Sequence, residues 1–264
     1  MRAYRIAYDG GPYHGFQRQP DVATVEGEIL AALARLGVTD GGVPDGYAAA
    51  GRTDAGVSAL AQTVAFDAPE WLTPAAFNSE LPADVRAWAS ADVSAEFHAT
   101  HEAREREYVY HLHAPDADDE RAREAAGELA GAHDFSNLTP DATGTERDLV
   151  IEGRRDGPFL VWTLRAGGFC RQLVRRVVGL LDEIASGTAP LAKVDRVLAD
   201  EPLDGPEGVA PAPPTQLVLT AVDYGIDFTV DEDGRESART VFSERHAERL
   251  AGARIAGQIR DSIG

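Results

Sequence analysis

Two hydrophobic periods alternate along this chain, and no all-helical or all-strand fold can satisfy both. Tyr4, Ile6 and Tyr8 recur at every second position, as do Tyr108, Tyr110 and Leu112, with Val109 and His111 pointing the other way, and as do Leu217, Leu219 and Ala221. A period of two marks strands with one face buried. Val25, Ile29, Leu33 and Leu36 recur at helical spacing instead, and so do Leu173, Val177, Leu181 and Ile184. The first stripe ends at Gly37, a residue suited to a helix C-terminal cap. The chain therefore reads as mixed α and β, with amphipathic helices packed on a sheet.

The remaining segments fill in that pattern. Asp9-Gly10-Gly11-Pro12 breaks the first strand. Residues 47–50 and 61–66 read as short strands around the polar loop from Gly51 to Gly56, and Thr73-Pro74 supplies an N-cap with proline at the first helical position. Further strands are expected at 85–93 and 107–113, a polar helix at 118–130, and a hairpin of 147–155 with 158–166 turning at Asp156-Gly157. An apolar helix over 169–185 follows, then a Pro/Gly/Ala loop from Pro202 to Pro214, and a last helix from about Ser243 to Ile263. No repeat of solenoid length is present.

Composition narrows the class of function. The 264 residues carry 25 Lys+Arg against 44 Asp+Glu, a formal charge of −19, shared along the chain and not gathered in a tail. Lys193 is the single lysine, so arginine supplies nearly all the positive charge. Such a surface repels itself at low ionic strength and is screened at molar salt, where the Debye length is about 3 Å, which points to a protein adapted to high salt. Cys170 is the single cysteine, so neither an internal disulfide nor a thiolate metal cluster is expected. No apolar run approaches the roughly 20 residues of a membrane helix. Because the N-terminus leads into a strand pattern and not an apolar secretory segment, a cytoplasmic location with no membrane association is expected.

Chemistry has few places to reside. The loop Gly51-Arg52-Thr53-Asp54-Ala55-Gly56-Val57 sets a carboxylate two residues from a guanidinium in a tight backbone, although Thr-Asp-Ala-Gly also makes an ordinary turn. Between Gly157 and Leu181 stand Arg165, Arg171, Arg175 and Arg176 with no acidic residue, which reads as an anion-binding stretch. On a helix Arg171 and Arg175 would share a face, free to pair with an active carboxylate, hold phosphate or reach into solvent. One of Tyr108 and Tyr110 is expected in the core; the other could stack on a base. No second carboxylate is marked out as a partner for Asp54, which disfavours glycoside hydrolysis. Phosphate-loop and dinucleotide glycine patterns are absent, and the seven histidines form no metal triad.

Taken together, these strings resemble the tRNA pseudouridine synthase A family. Gly51-Arg52-Thr53-Asp54-Ala55-Gly56-Val57-Ser58-Ala59 is similar to the family's catalytic motif. Its companions appear in order: Tyr8-Asp9-Gly10, Gly15-Phe16-Gln17-Arg18-Gln19, Phe97-His98-Ala99, Tyr108-Val109-Tyr110, Gly131-Ala132-His133-Asp134-Phe135, and Phe169 with Leu173-Val174-Arg175. The resemblance covers roughly residues 1–225 and departs at Ser58, where the family usually has His, at Phe16 for Trp, at Thr100 for Arg and at Gln216 for Gly.

The resemblance implies an isomerase that converts uridine to pseudouridine in the anticodon arm of tRNA, at positions 38 to 40, with no cofactor and no metal. By that likeness Asp54 is the catalytic nucleophile. Tyr108 stacks on the everted uracil, Arg52 helps to hold it out of the stem, and Arg175 pairs with the Asp54 carboxylate and offsets the desolvation of its charge. The implied fold is α+β: two α/β halves share a largely antiparallel mixed sheet with flanking helices and an active-site cleft between them. The expected divisions are 1–103, carrying the Asp loop; 104–225, carrying the Tyr strand and Arg helix; and 226–264, a C-terminal extension with a helix. The implied partners are tRNA and a second copy of the chain in a homodimer. The acidic charge implies that tRNA recognition leans on shape, stacking and planar arginine contacts, because phosphate-driven binding fades in molar salt.

Overall fold

A ten-stranded sheet runs through the whole molecule, and the residues that line its centre come from distant parts of the chain. The structure, a computed structural model, describes residues 1–203 and 205–263. In chain order the elements are β1 (Arg2–Tyr8), α1 (Val25–Arg35), β2 (Ala48–Ala49), β3 (Ser58–Phe66), α2 (Pro74–Asn78), β4 (Val85–Asp92), β5 (Glu105–His113), α3 (Asp119–Leu129), β6 (Gly131–Asp134), β7 (Glu146–Asp156), β8 (Phe159–Ala166), α4 (Leu173–Ala185), α5 (Lys193–Val197), β9 (Leu217–Asp223), β10 (Thr229–Val230) and α6 (Glu232–Ile263). The strands lie in the order β10-β4-β1-β3-β9-β5-β8-β7-β6, with β2 added on β3. The architecture is α+β with a mixed, largely antiparallel sheet, and among the described pairings only β3 with β9 is parallel.

That parallel junction positions the site. Only Ser58 and Ala59 pair with Val218 and Leu219. On one side of it, helices α1 and α2 cover a core built on Tyr4, Ile6, Ile29, Leu33, Phe66 and Phe77; on the other, α3 and α4 cover a core built on Tyr110, Trp162, Leu173, Val177, Leu181 and Ile184. Tyr108 packs against both cores. The strand β9 changes sides as well, with Leu217 in one core and Leu219 and Val222 in the other.

Local chemistry accounts for most element ends. Thr24 accepts from the Gly27 amide and Thr73 from the Ala76 amide, so each supplies one of the partners that a helix N-terminus lacks. Gly37 takes a φ of 69° just past α1. In the β7–β8 hairpin Gly157 adopts a φ of 56°, and Asp156 pairs with Phe159 across the turn.

Three expectations from periodicity are corrected. The helix expected over 169–185 begins only at Leu173, because Gln172 adopts a φ of 61° and residues 167–172 form a separate turn. Arg171 therefore lies before the helix and does not share a helical face with Arg175. The last helix begins eleven residues earlier than expected, at Glu232, where the Asp231 carboxylate accepts from the Gly234 amide. In β9 the alternation of Leu217, Leu219 and Ala221 breaks at a bulge, since Glu107 opposes Ala221 while Tyr108 opposes Leu219. Thr220 is the extra residue, and beyond it Val222 takes the buried position and Ala221 is exposed.

Candidate active site

The loop 51–57 is held from three directions before any substrate arrives. The Thr53 carbonyl accepts from the Phe16 amide at 3.0 Å, and its side chain is hydrogen-bonded to the buried Tyr8 hydroxyl at 2.7 Å. Gln62 donates to the Gly51 carbonyl, and the Val57 amide donates to the Asp54 carbonyl, closing a turn on the residue expected to carry chemistry. Gly10 packs against the far side so closely that a Cβ there would lie 2.1 Å from the Val57 carbonyl oxygen. Ser58, the residue that departs from the family pattern, accepts from the Gly10 amide at 3.1 Å and so ties the same two loops together.

Asp54 faces Arg175, from the first turn of α4. An Arg175 Nη1–H donates to the Asp54 carboxylate at 3.0 Å, while Arg175 Nε donates to the Ala212 carbonyl at 2.7 Å, so the guanidinium is fixed on two edges. The Arg175 side chain is 12% exposed and that of Asp54 26%. The carboxylate is thus open on one side to a cleft of about 1010 Å³ lined also by Arg52, Tyr108 and Phe169. This volume is at the upper end of the roughly 300–1,000 Å³ of small-molecule sites, which leaves room for a whole nucleotide.

The two tyrosines of β5 divide as the sequence allowed. Tyr110 is buried and donates to the Pro213 carbonyl at 2.9 Å. Tyr108 stands half-buried on the wall of the cleft, its ring edge-on to Phe169 at 5.2 Å and 89°. Desolvation pushes its hydroxyl up to about 12; the positive Arg106 opposes that rise and the negative Asp54 adds to it. The group is a neutral phenol at ordinary pH. Arg52 is exposed at the rim.

The acid-free arginine stretch behaves differently from the anion site expected of it. Arg165 pairs with Glu107 and Glu152, Arg171 with Asp141, and Arg175 with Asp54, while Arg176 donates to the Val209 carbonyl. The carboxylates these arginines meet are the protein's own and come from other segments. Among the described residues, no cluster of three or more His, Cys, Asp or Glu side chains is placed to hold a metal ion, and no helix is long and apolar enough to cross a membrane.

Two groups beside the site have partners that periodicity did not signal: Arg106, outside the quoted motifs, and Asp9, which belongs to Tyr8-Asp9-Gly10. Arg106 donates to three backbone carbonyls around the cleft. Asp9, only 5% exposed, is paired with Arg245 and Arg249 of α6, and Arg245 also meets Asp84. An inward carboxylate in a breaker cluster and arginines four apart on a distant helix are readable signals, but nothing in the sequence says that they meet.

Comparison with known proteins identifies the family. The family model described as tRNA pseudouridine synthase matches residues 125–225. The tRNA pseudouridine synthase A of Haloarcula marismortui is 62% identical over 275 residues, covering 100% of both chains. That of Halobacterium salinarum is 59% identical, covering 98% of both, and that of Archaeoglobus fulgidus 36% identical, covering 92% of this chain and 91% of its own. The fold is that of a pseudouridine synthase, a class of isomerases. The chain belongs to the tRNA pseudouridine synthase A family.

Proposed function

We propose that this protein isomerises uridine to pseudouridine in the anticodon arm of tRNA, at positions 38 to 40, with Asp54 as the nucleophile. The observation that carries the reading is the Arg175–Asp54 pair, at 3.0 Å, on a cleft whose wall bears Tyr108. A stem uridine must leave its stack, at a cost of a few kcal/mol, before a carboxylate can reach it. Arg52, exposed at the rim, is the residue proposed to hold it out. Tyr108, supported edge-on by Phe169, supplies the stacking surface for the uracil.

The bond from N1 of the base to C1′ of the ribose breaks, the uracil turns within the cleft, and C5 bonds to C1′. N1 gains a hydrogen and C5 loses one, so no atom is added or removed and no co-reactant is required. A lone carboxylate suits this sequence, since a second one activating water would hydrolyse the intermediate that the cleft must retain. Tyr108, a neutral phenol on the cleft wall, can take the C5 proton only while passing on its own, so its proposed part at C5 is that of a proton relay.

The divisions at residues 103 and 225 belong to the same reading: a half carrying Asp54 and a half carrying Tyr108 and Arg175 enclose the cleft, and 226–264 forms an extension. A homodimer acting on tRNA in the cytoplasm completes it. Tritium release from C5-labelled uridine in an anticodon-arm transcript, with no cofactor added, tests the proposal. Asp54→Asn should fold as wild type and release none; turnover near the wild-type rate would overturn the assignment. Tyr108→Phe should lower the single-turnover rate by more than it weakens tRNA binding.

A further inference from the structure

Arg106 does not line the cleft, yet it touches the backbone of three segments that do. Its Nε and Nη2 donate to the Ala50 carbonyl at 3.2 and 2.7 Å, its Nη2 also to the Thr100 carbonyl at 2.8 Å, and its Nη1 to the Gly167 carbonyl at 2.6 Å. Ala50 is the residue before the loop that carries Arg52 and Asp54. Gly167 opens the turn that carries Phe169 and leads to Arg175. Thr100 anchors itself to the neighbouring strand as well, its hydroxyl donating to the Ala49 carbonyl at 2.6 Å. Arg106 precedes Tyr108 by two on β5, so both side chains leave the same face of the strand.

We infer that Arg106 is a positioning residue, a planar strut that sets the Asp54 loop and the Phe169 turn at fixed distances from Tyr108. This rests on the reading of Asp54 and Tyr108 as reacting and stacking groups. A rigid guanidinium with five N–H donors reaches carbonyls on three sides at once, which the point-like ammonium of lysine cannot do. Preorganisation of this kind acts on the rate, because a misplacement of about 1 Å at the reacting atoms costs up to 100-fold.

The test compares Arg106→Gln and Arg106→Lys with wild type by single-turnover rate, tRNA affinity and amide hydrogen exchange, with Asp54→Asn run alongside. Both Arg106 variants should lose about 10- to 100-fold in rate with affinity kept within about threefold. Exchange should quicken in residues 51–57 and 167–172 while the α1 and α4 amides stay protected. In a cycle with Tyr108→Phe the losses should be less than additive, since both act on the same contact. Should Arg106→Gln fail to fold, Arg106→Lys carries the same comparison. An unchanged rate, a lowered rate with unchanged exchange, or full rescue by lysine would each overturn the strut. An active Asp54→Asn would overturn the reading of the site instead, whatever Arg106 does.

Discussion

Asp54 and Arg175 meet at 3.0 Å across the seam between the two cores, though 121 positions separate them in sequence. Asp54 enters from the loop before β3 and Arg175 from the first turn of α4, so the pair forms only when both halves of the sheet are in place. Arg175 also donates to the Ala212 carbonyl at 2.7 Å, which fixes the direction of the charge as well as its presence.

Arg175→Lys keeps the charge but loses the second edge of the fork. A hydrogen bond to a charged group contributes about 1.5–3 kcal/mol, so kcat/KM on an anticodon-arm substrate should fall by roughly 10- to 150-fold, and further for Arg175→Ala. Steady-state kinetics on both variants checks this; a lysine variant at wild-type rate would show that orientation of the guanidinium is irrelevant.

Gly10→Ala should separate the Tyr8-Asp9-Gly10 segment from the Asp54 loop, because the added Cβ would lie 2.1 Å from the Val57 carbonyl oxygen. Backbone must move, and overpacking of this kind costs about 1–3 kcal/mol. Thermal melting should show a drop of a few degrees, roughly 2–4 °C per kcal/mol for a chain of this size, with a loss of rate out of proportion to it.

Asp9 carries an acid-sensitive contact between α6 and the body. Burial pushes its carboxyl up, but hydrogen bonds from Arg249 and the Gly11 amide and the charges of Arg249 and Arg245 outweigh this, leaving it below the usual carboxylate range. A depressed folded value contributes stability that is present above the unfolded value, about 4, and is lost as pH falls through the folded one. Melting measured from pH 7 to pH 3 should therefore fall more steeply below about pH 4 in wild type than in Asp9→Asn. Parallel curves would exclude this contact as a source of acid sensitivity.

Salt should stabilise the fold. With a formal charge of −19, self-repulsion is strong in dilute buffer and is screened at molar salt. Circular dichroism melts should rise between 0.1 and 3 M KCl, while tRNA affinity should fall less steeply with salt than it does for a lysine-rich RNA-binding protein. A flat melting profile would contradict the first expectation, and a steep affinity slope the second.

Much of the fold was legible because local physics decides it. The alternation of Tyr4, Ile6 and Tyr8, the cap at Thr73-Pro74, and the stripe Leu173, Val177, Leu181 and Ile184 each depend on neighbours within a few residues, and each forms where expected. The start of α4 was not legible: Gln172 is an ordinary helix former that takes a left-handed conformation at the turn entering this helix. Neither was the bulge at Thr220, whose hydroxyl donates to the Glu107 carboxylate and carbonyl, contacts made only across two paired strands.

What the amino-acid order determined by itself is which segments become strands and helices, and which short strings carry a carboxylate, a tyrosine and arginines on rigid supports. Those properties depend on side-chain period, turn chemistry and composition, all written within a few neighbours. That Arg175 faces Asp54 and that Tyr108, not Tyr110, reaches the cleft were implied by the family resemblance and by no local pattern. These placements, the pairing of Arg165 and Arg171 with Glu107 and Asp141, and the tie that Arg106 makes between the walls were decided by the tertiary structure. Partnership across more than a hundred residues depends on sheet order and on the parallel junction of β3 with β9, and no local pattern encodes either.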